Sequence, residues 1–281
     1  MHGQRRVPSG KGFKMRRSLV SSIAVLAAAL ASPAILLSQT PSQQSETERT
    51  RAVTSGVHHD LSGVWIYSNG FPRGQGLYGS PSKDAPSMTP WAQTRYDAAK
   101  PGYGPRAVAD GNDPVLRCNP AGLPRALYYP NQDPHEIVQT RDRVFMFFER
   151  DHLWRQIWTD GRGHPKDLVS TWLGDSIGKW EGDTFVVDTV DFNDKSWLDS
   201  YGHPHSEQLH LVERYRRMDH ETLTMQLVID DPKAYTATWV SDTKIYKLLS
   251  KDKAVLGEFF CIPDEEDSFT KKFREPAAGE K

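Results

Sequence analysis

Carboxylates and imidazoles are concentrated between residues 188 and 210, and these two kinds of group are common general acids and bases. The candidates for catalysis there are Asp188, Asp194, His203, His205 and His210. Asp188 lies in an apolar run, where strand alternation places it on one face with Val186 and Val190. A carboxylate buried on that face needs a cation or a raised pKa, because its charged form is costly away from water. The alternative is a structural partner, either an arginine or a backbone N–H.

His203 and His205 flank Pro204, so in an extended segment both rings would lie on the same side. Glu207 continues the alternation, and the spacing is usable by zinc or copper as well as by a general base. A metal centre needs closed coordination, which this segment does not supply by itself, and we predict no metal and no cofactor. His210 lies on a predicted strand, where it either enters a barrel lumen as a base or points outward as a polar residue.

A second group combines aromatic and polar side chains on the predicted strand 152–159. Alternation groups four of them on one face: His152, Trp154, Gln156 and Trp158. Such a face is typical of a platform for rings or sugars, and a barrel exterior covered by a loop is the alternative. Arg155 lies on the opposite face and needs a carboxylate, for which we expect Asp188. Arg162 and His164 follow on the next loop and are further candidates for binding.

Several catalytic signatures are missing from the chain. It has no Gly-x-Ser-x-Gly elbow, P-loop, dinucleotide-binding fingerprint, His-Glu-x-x-His or Cys–His pairing with nucleophile spacing. These absences argue against serine hydrolases, nucleotide-dependent enzymes and zincins. Glycoside hydrolysis by a pair of carboxylates depends on their separation, which spacing along the chain does not reveal.

Strands must position these groups. Alternating runs bounded by turn residues begin at 60–67 and recur from residue 135 onward: 135–140, 143–149, 152–159, 176–181, 184–190, 209–217, 222–229, 234–240, 243–249 and 255–261. Little helix separates them. We therefore predict an all-β fold, an antiparallel meander closed as a lipocalin-like barrel, with a β-sandwich as the alternative.

The predicted β-rich domain spans residues 58–262 and contains one long irregular segment. Residues 69–133 are crowded with glycine and proline, which is typical of a lid or binding loop. One short helix is predicted within it, with Thr89 as N-cap and Pro90 as its first residue. Residues 263–281 are charged and lack a core pattern, so we predict a loose tail.

The first 31 residues have the pattern of a secretory signal peptide. Six basic residues and no acidic one precede an apolar run at 19–30, which ends in the cleavage signal Ala29-Leu30-Ala31. A retained membrane anchor is the alternative, because apolar residues resume at 35–37. Residues 32–57, rich in Ser, Thr, Gln and Glu, are predicted to be a flexible leader. We expect a periplasmic or secreted protein without stable membrane insertion after cleavage.

The charge of the chain limits the classes of molecule that it can bind, and its two cysteines predict a covalent cross-link. Without residues 1–31 the chain has 29 basic and 36 acidic residues, a net charge of −7, which argues against nucleic acid and anionic membranes. Cys118 and Cys261 are the only cysteines. In an oxidising compartment an isolated pair predicts a disulfide, and two buried free thiols are the alternative.

Two resemblances follow from short motifs. The segment Leu61-Ser-Gly-Val-Trp65 resembles the Gly-x-Trp opening of lipocalin-like proteins, in which the glycine permits a tight bend and the tryptophan plugs one barrel end. The segments WRQIWTDGRGHP (154–165), WEGDTFVVDT (180–189) and GHPHSE (202–207) resemble a family of exported bacterial hypothetical proteins over roughly residues 58–262. That second resemblance implies export and a single domain, and it implies no mechanism.

Together these features predict an exported barrel that binds a small ring-containing molecule, aromatic or sugar-like. The enzymatic version of this hypothesis is a lyase, isomerase or hydrolase that uses His/Asp acid–base chemistry. It requires that one of the histidines at 203, 205 and 210 approach Asp188 or Asp194 in one pocket. The alternative, a non-catalytic envelope-binding or structural protein, predicts that these residues are scattered over the surface.

Overall fold

The computed structural model describes residues 59–68, 79–129 and 133–279. The predicted signal peptide and leader lie outside these residues. The strands are β1 (Gly63–Tyr67), β2 (His135–Gln139), β3 (Arg143–Phe148), β4 (Trp154–Trp158), β5 (Asp175–Glu181), β6 (Thr184–Val190), β7 (His210–Arg217), β8 (Thr222–Asp230), β9 (Trp239–Val240) and β10 (Lys244–Leu248). The helices are α1 (Pro90–Ala98), α2 (Pro263–Phe269) and α3 (Glu275–Gly279), with a π-helical turn at Thr270–Arg274 and 3₁₀ turns at Pro114–Arg117 and Arg125–Tyr128. None of the helices in the described ranges is long and apolar enough to span a membrane.

The described strands form a closed nine-stranded barrel, which confirms the predicted all-β barrel fold. Strands β1 to β8 pair in chain order, and β10 closes the ring by pairing with both β8 and β1. The short β9 pairs with Val228 and Ile229 of β8, beyond the part of β8 that pairs with β10. One pair, β4 with β5, is parallel, with Ile157 opposite Ser176. Each antiparallel pairing reverses the strand direction, and the direction must be restored after one full circuit of the ring. The number of antiparallel pairings is therefore even, so a ring with nine pairings has an odd number of parallel ones. The prediction of a wholly antiparallel meander is therefore wrong at this pair.

Two predicted strands differ from the structure. Residues 234–240 contain only the two residues of β9, because the N–H groups of Ala234 and Tyr235 donate to the Asp231 carbonyl in a turn. Residues 255–261 contain only an isolated bridge, from Phe259 to Arg150, within the described chain. The predicted helix is confirmed, with the Thr89 side chain accepting from the Ala92 N–H and proline in its first turn.

Alternation along the strands fills the barrel interior with apolar side chains. The inward positions include Phe185 and Val187 on β6, Leu211 and Tyr215 on β7, and Leu223, Met225, Leu227 and Ile229 on β8, all buried in one core cluster. Trp65 belongs to this cluster and is fully buried. The guanidinium of Arg217, the last residue of β7, lies 5.0 Å from the centre of its ring. The interior is thus a packed core.

One ion pair crosses this core. Arg155 donates to both carboxylate oxygens of Glu213, at 2.6 and 2.9 Å, and also to Ser176 and Thr189. The expected pairing of Arg155 with Asp188 is wrong, because Asp188 is out of phase with the inward residues of β6 and lies on its outward face.

Long connections and a 3₁₀ turn cover one end of the barrel. We call this end the mouth: there β6 ends at Val190, β7 begins at His210 and β8 ends at Asp230. The turn Arg125–Tyr128 packs over it, since the Tyr246 hydroxyl inside the barrel donates to the Leu127 carbonyl at 2.8 Å. The described part of the predicted lid-like segment, residues 79–129, thus contributes to the core.

A disulfide joins Cys118 and Cys261, whose Cα atoms are 5.3 Å apart, and this confirms the predicted bridge. A disulfide indicates an oxidising compartment. Residues 263–279, predicted to be a loose tail, are helical instead. Proline at the first position favours helix initiation there, and the Arg117 guanidinium reaches Asp267 at 3.1 Å.

Candidate functional site

Three histidines from the predicted catalytic group have three different partners. His203 pairs with Asp199, His205 with Ser196, and His210 with Asp188. Of these pairs, the one between Ser196 and His205 adjoins a cleft.

The pairing of Ser196 with His205 follows from the way the connection between β6 and β7 folds back on itself. An isolated antiparallel bridge joins Trp197 and Pro204, so the next residues in that register, Ser196 and His205, lie opposite each other. Ser196 Oγ is 2.9 Å from His205 Nε2. Both residues are buried, with exposed fractions of 4% and 2%.

The second nitrogen of His205 defines its tautomer. Nδ1 lies 3.3 Å from the carbonyl oxygen of Ser206, and because a carbonyl can only accept, we assign the proton to Nδ1. Nε2 is then the acceptor for the hydroxyl of Ser196. Burial lowers the pKa of His205, while the Ser206 carbonyl and the charges of Asp231 and Asp194 oppose the shift. The imidazole is therefore neutral near pH 7, as a general base must be.

A buried carboxylate holds the peptide that orients His205. Asp231, the residue after β8, accepts from the Ser206 N–H at 2.6 Å and from the Ser206 hydroxyl at 2.7 Å. Asp231 is 1% exposed. The end of a rigid strand thus fixes Ser206, and the carbonyl of Ser206 in turn fixes the ring of His205.

A cleft of about 250 Å³ opens beside this pair. One wall is α1 with Asn112 and Pro114, and the other is formed by residues 194–197 and 204–205. The volume lies just below the ~300–1,000 Å³ of pockets for drug-sized ligands, and it suits a small molecule. Asp194 is exposed at the cleft and lines it together with His205, although no hydrogen bond joins the two in the described structure.

His203 and Asp199 form a buried pair at the tip of the same connection. Nδ1 of His203 is 2.5 Å from Asp199, which also accepts from the Ser80 hydroxyl at 3.0 Å. Burial alone would raise the pKa of Asp199, but His203 and backbone N–H donors hold it below its ordinary value. The His203 ring is enclosed by Tyr96 and Trp239. Asp199 also accepts hydrogen bonds from the backbone N–H groups of Tyr201 and His203, so this pair fixes the loop conformation.

His203 and His205 therefore do not share a ligand, despite their spacing. In the part of the chain that the structure describes, no group of three or more His, Cys, Asp or Glu side chains is placed to hold a metal ion.

His210 and Asp188 lie on the barrel exterior, where His164 and Asp175 extend the group into a chain of four. His210 Nε2 is 2.9 Å from Asp188, His164 Nε2 is 3.0 Å from Asp188, and His164 Nδ1 is 2.7 Å from Asp175. Burial would lower the pKa of His164, but its two carboxylate partners raise it. Both ring nitrogens of His164 face carboxylates, which only accept, so the protonated ring satisfies both contacts and ties the β4–β5 connection to the barrel. His210 lies on the outward side of its strand, which is the alternative given for it above.

The proposed aromatic platform also lies on the barrel exterior. Three of its residues point outward along β4: Trp154, Gln156 and Trp158. Trp154 is 58% exposed, while the guanidinium of Arg162 covers the ring of Trp158 at 3.4 Å. His152 precedes β4, in a turn with φ of 48°, and stacks on Phe260 at 4.2 Å. The exterior position of the alternative is therefore found, although Trp154 is exposed there rather than covered by the long loop. These residues do not line the cleft beside Ser196.

Sequence reasoning missed three residues of the strongest site: Ser196, Ser206 and Asp231. The absence of a Gly-x-Ser-x-Gly elbow argued against a serine nucleophile, yet Ser196 meets a histidine through a different backbone geometry. The turn residues between Asp199 and Gly202, with φ of 91° at Gly202, are the local signal that could have placed Ser196 opposite His205.

Comparison with protein-family models, with curated proteins and with solved structures finds no match for this chain. A serine hydroxyl bonded to a neutral imidazole, whose other nitrogen is held by an acceptor, is the arrangement that activates a serine as a nucleophile.

Proposed function

We propose that the protein is an exported hydrolase that cleaves a small ring-containing ester, with Ser196 as nucleophile and His205 as its general base. The observation that carries the proposal is the 2.9 Å contact between Ser196 Oγ and His205 Nε2 at the wall of the cleft. Trp197 lines the same cleft, and an indole side chain suits a flat ring. Export is supported by the pattern of residues 1–31 and by the disulfide.

The reaction follows from the two side chains. His205 Nε2 takes the hydroxyl proton as Ser196 Oγ bonds to the carbonyl carbon of the ester, and the resulting imidazolium gives that proton to the departing alcohol or phenol oxygen. Water then attacks the acyl group on Ser196 while His205 accepts its proton. The carboxylic acid leaves, and the proton returns to Ser196 Oγ.

The charges around His205 favour this cycle. The imidazolium that forms after proton transfer lies in the field of Asp231 and Asp194, which favours the charged ring. Asp231 also holds Ser206 by two hydrogen bonds, so the ring keeps its orientation during the transfer. Asp231 and Ser206 act through His205 and are positioning residues.

The test uses a fluorophosphonate probe, which modifies activated serines irrespective of the natural substrate. We expect the mature wild-type protein to be labelled at Ser196, as mapped by mass spectrometry, and Ser196→Ala to lose the label. His205→Gln should slow labelling by about 100-fold, because general base catalysis contributes about 10²–10⁴-fold. Ser200→Ala is the matched control, since Ser200 lies on the same loop and its hydroxyl has no partner within the described residues.

Labelling of Ser200→Ala should equal that of wild type. Absence of labelling from a folded wild-type protein, or labelling that persists in Ser196→Ala, would show that Ser196 is not an activated nucleophile. The cleft would then belong to a binding protein without turnover.

The pH dependence of labelling gives an independent check. Because burial lowers the pKa of His205, the base is already unprotonated at pH values where an ordinary histidine is charged. We expect the labelling rate to fall on acidification with a midpoint below the ordinary histidine pKa of about 6.5. A midpoint at or above that value would contradict the assignment of His205 as the base.

A further inference from the structure

We infer that the substrate of this cleft carries an anionic group, such as a carboxylate, which Arg95 and Lys195 bind from opposite walls. The inference rests on the proposed function, because it names the substrate class of the same site. Arg95 belongs to α1 and Lys195 directly precedes Ser196, and both line the cleft.

The two cations differ from other arginines of the barrel in their surroundings. Within the described ranges, the side chains of Arg95 and Lys195 make no ion pair, whereas Arg143, Arg162 and Arg214 each reach a carboxylate within 3.3 Å. Arg95 instead lies over the ring of Trp91, 3.8 Å from its centre, and Lys195 lies 5.3 Å from the ring centre of Trp172. Stacking on an indole holds a cation near a surface without neutralising it.

The charge balance of the cleft differs from that of the chain. Asp194 is the carboxylate that lines it, against the two cations Arg95 and Lys195, while the whole sequence has a net charge of −1. Asp194 acts on His205, where its charge favours the imidazolium. The surplus positive charge is therefore left for a ligand, and guanidinium groups pair well with carboxylates.

The expected substrate is thus a ring-bearing ester with an acidic substituent. Its ester carbonyl lies at Ser196, its ring lies against Trp197, and its acid lies between Arg95 and Lys195. A neutral ester of the same shape lacks the interaction with the two cations and is bound more weakly.

Binding is measured first, with probes that the proposed reaction does not consume. The probes are 4-acetamidobenzoate, which is anionic, and acetanilide, which has the same ring and amide without the carboxylate. We expect wild type to bind 4-acetamidobenzoate at least about tenfold more tightly than acetanilide, and the double variant Arg95→Gln/Lys195→Gln to lose that difference. Lys271→Gln, an exposed lysine on the π-helical turn, is the control and should bind as wild type does.

Turnover is measured with the matched esters 4-carboxyphenyl acetate and phenyl acetate. The double variant should lose about tenfold in kcat/KM for the anionic ester and remain within about twofold for phenyl acetate. Equal affinities of wild type for the two amides, or an undiminished preference in the folded double variant, would overturn the inference. If the anion binds and the double variant loses it, yet Ser196 is never labelled, the anion site stands and the proposed hydrolase fails.

Discussion

The ion pair inside the barrel and the Ser196–His205 pair at its mouth are both buried, but their hydrogen bonding differs. Inside, every guanidinium nitrogen of Arg155 has a partner: Nε bonds to Ser176, Nη1 to Glu213, and Nη2 to both Thr189 and Glu213. Glu213 also accepts from the Tyr215 hydroxyl. At the mouth, Ser196 Oγ bonds to His205, and both residues adjoin an open cleft.

The difference separates a structural cluster from the cluster that we propose to be reactive. A fully bonded ion pair in a packed core cannot reach a substrate, so its role is confined to stability and to the register of the strands that carry it. The Ser196 hydroxyl is bonded to the weakly basic ring of His205, and a cleft adjoins the pair. In the proposed function this hydroxyl attacks a substrate bound in the cleft. Burial and polarity alone would not have distinguished the two regions.

The largest fall in stability is expected from the substitution Glu213→Leu inside the barrel. This change leaves the Arg155 charge unpaired where its side chain is 1% exposed, and breaking a buried pair costs about 3–5 kcal/mol. Urea denaturation at pH 7 should show the corresponding fall in the free energy of unfolding.

The double variant Arg155→Met/Glu213→Leu tests the cause of that loss. Removing both charges leaves no unpaired cation, and replacing a buried pair by apolar residues is often close to neutral. The double variant should therefore recover most of the stability. If it is as unstable as Glu213→Leu, the loss comes from packing and hydrogen bonding in general rather than from an unpaired charge.

Acidification is expected to lower the free energy of unfolding by a smaller amount, because it protonates His135, a buried histidine inside the barrel. Burial lowers the pKa of His135 to about 4, and the ring lies against Tyr246 and Phe148. A lowered histidine pKa means that the unfolded state takes up the proton more readily. The stabilisation from the neutral His135 is therefore fully present above about pH 6.5. The free energy of unfolding falls by about 3 kcal/mol as the pH falls from there to about 4.

His135→Phe keeps a ring and removes this titration, so its free energy of unfolding should depend less steeply on pH over the same range. His220→Gln, an exposed histidine in the turn before β8, should retain the wild-type slope. Equal slopes for wild type and His135→Phe would mean that His135 is already hydrated in the native state.

Local patterns in the sequence were sufficient to predict most of the barrel. Alternation and turn residues locate nearly every strand, and β5 and β6 meet in a turn at Gly182, which has φ of 59°. The parallel pairing of β4 with β5 was not predictable in this way. It depends on how the connection 159–174 runs back along the barrel, and strand alternation is the same for either direction.

The site was less predictable because its contacts join residues far apart along the chain. Alternation separates Arg155 from the outward residues of β4, but the choice between Asp188 and Glu213 as its partner depends on which residues of β6 and β7 point inward. Asp231 reaches Ser206 from the end of a different strand, and Ser196 meets His205 through one isolated bridge. The residue types are enough to single out the histidines as candidate site residues. Their partners follow only from the register in which the strands and the isolated bridge pair.

The smallest effect on stability is expected at the mouth, where Ser196→Ala is compared with Ser176→Ala inside the barrel. Ser176 accepts from Arg155 in a sealed core, so its loss leaves a charged donor short of a partner and costs about 1–3 kcal/mol. Loss of the Ser196 hydroxyl exposes His205 Nε2 to the cleft, where water can replace it, and we expect a change below about 1 kcal/mol. Both are measured by urea denaturation at pH 7. If Ser196→Ala costs as much as Ser176→Ala, the Ser196–His205 contact is a structural bond like those of the core, and the contrast between the two regions disappears.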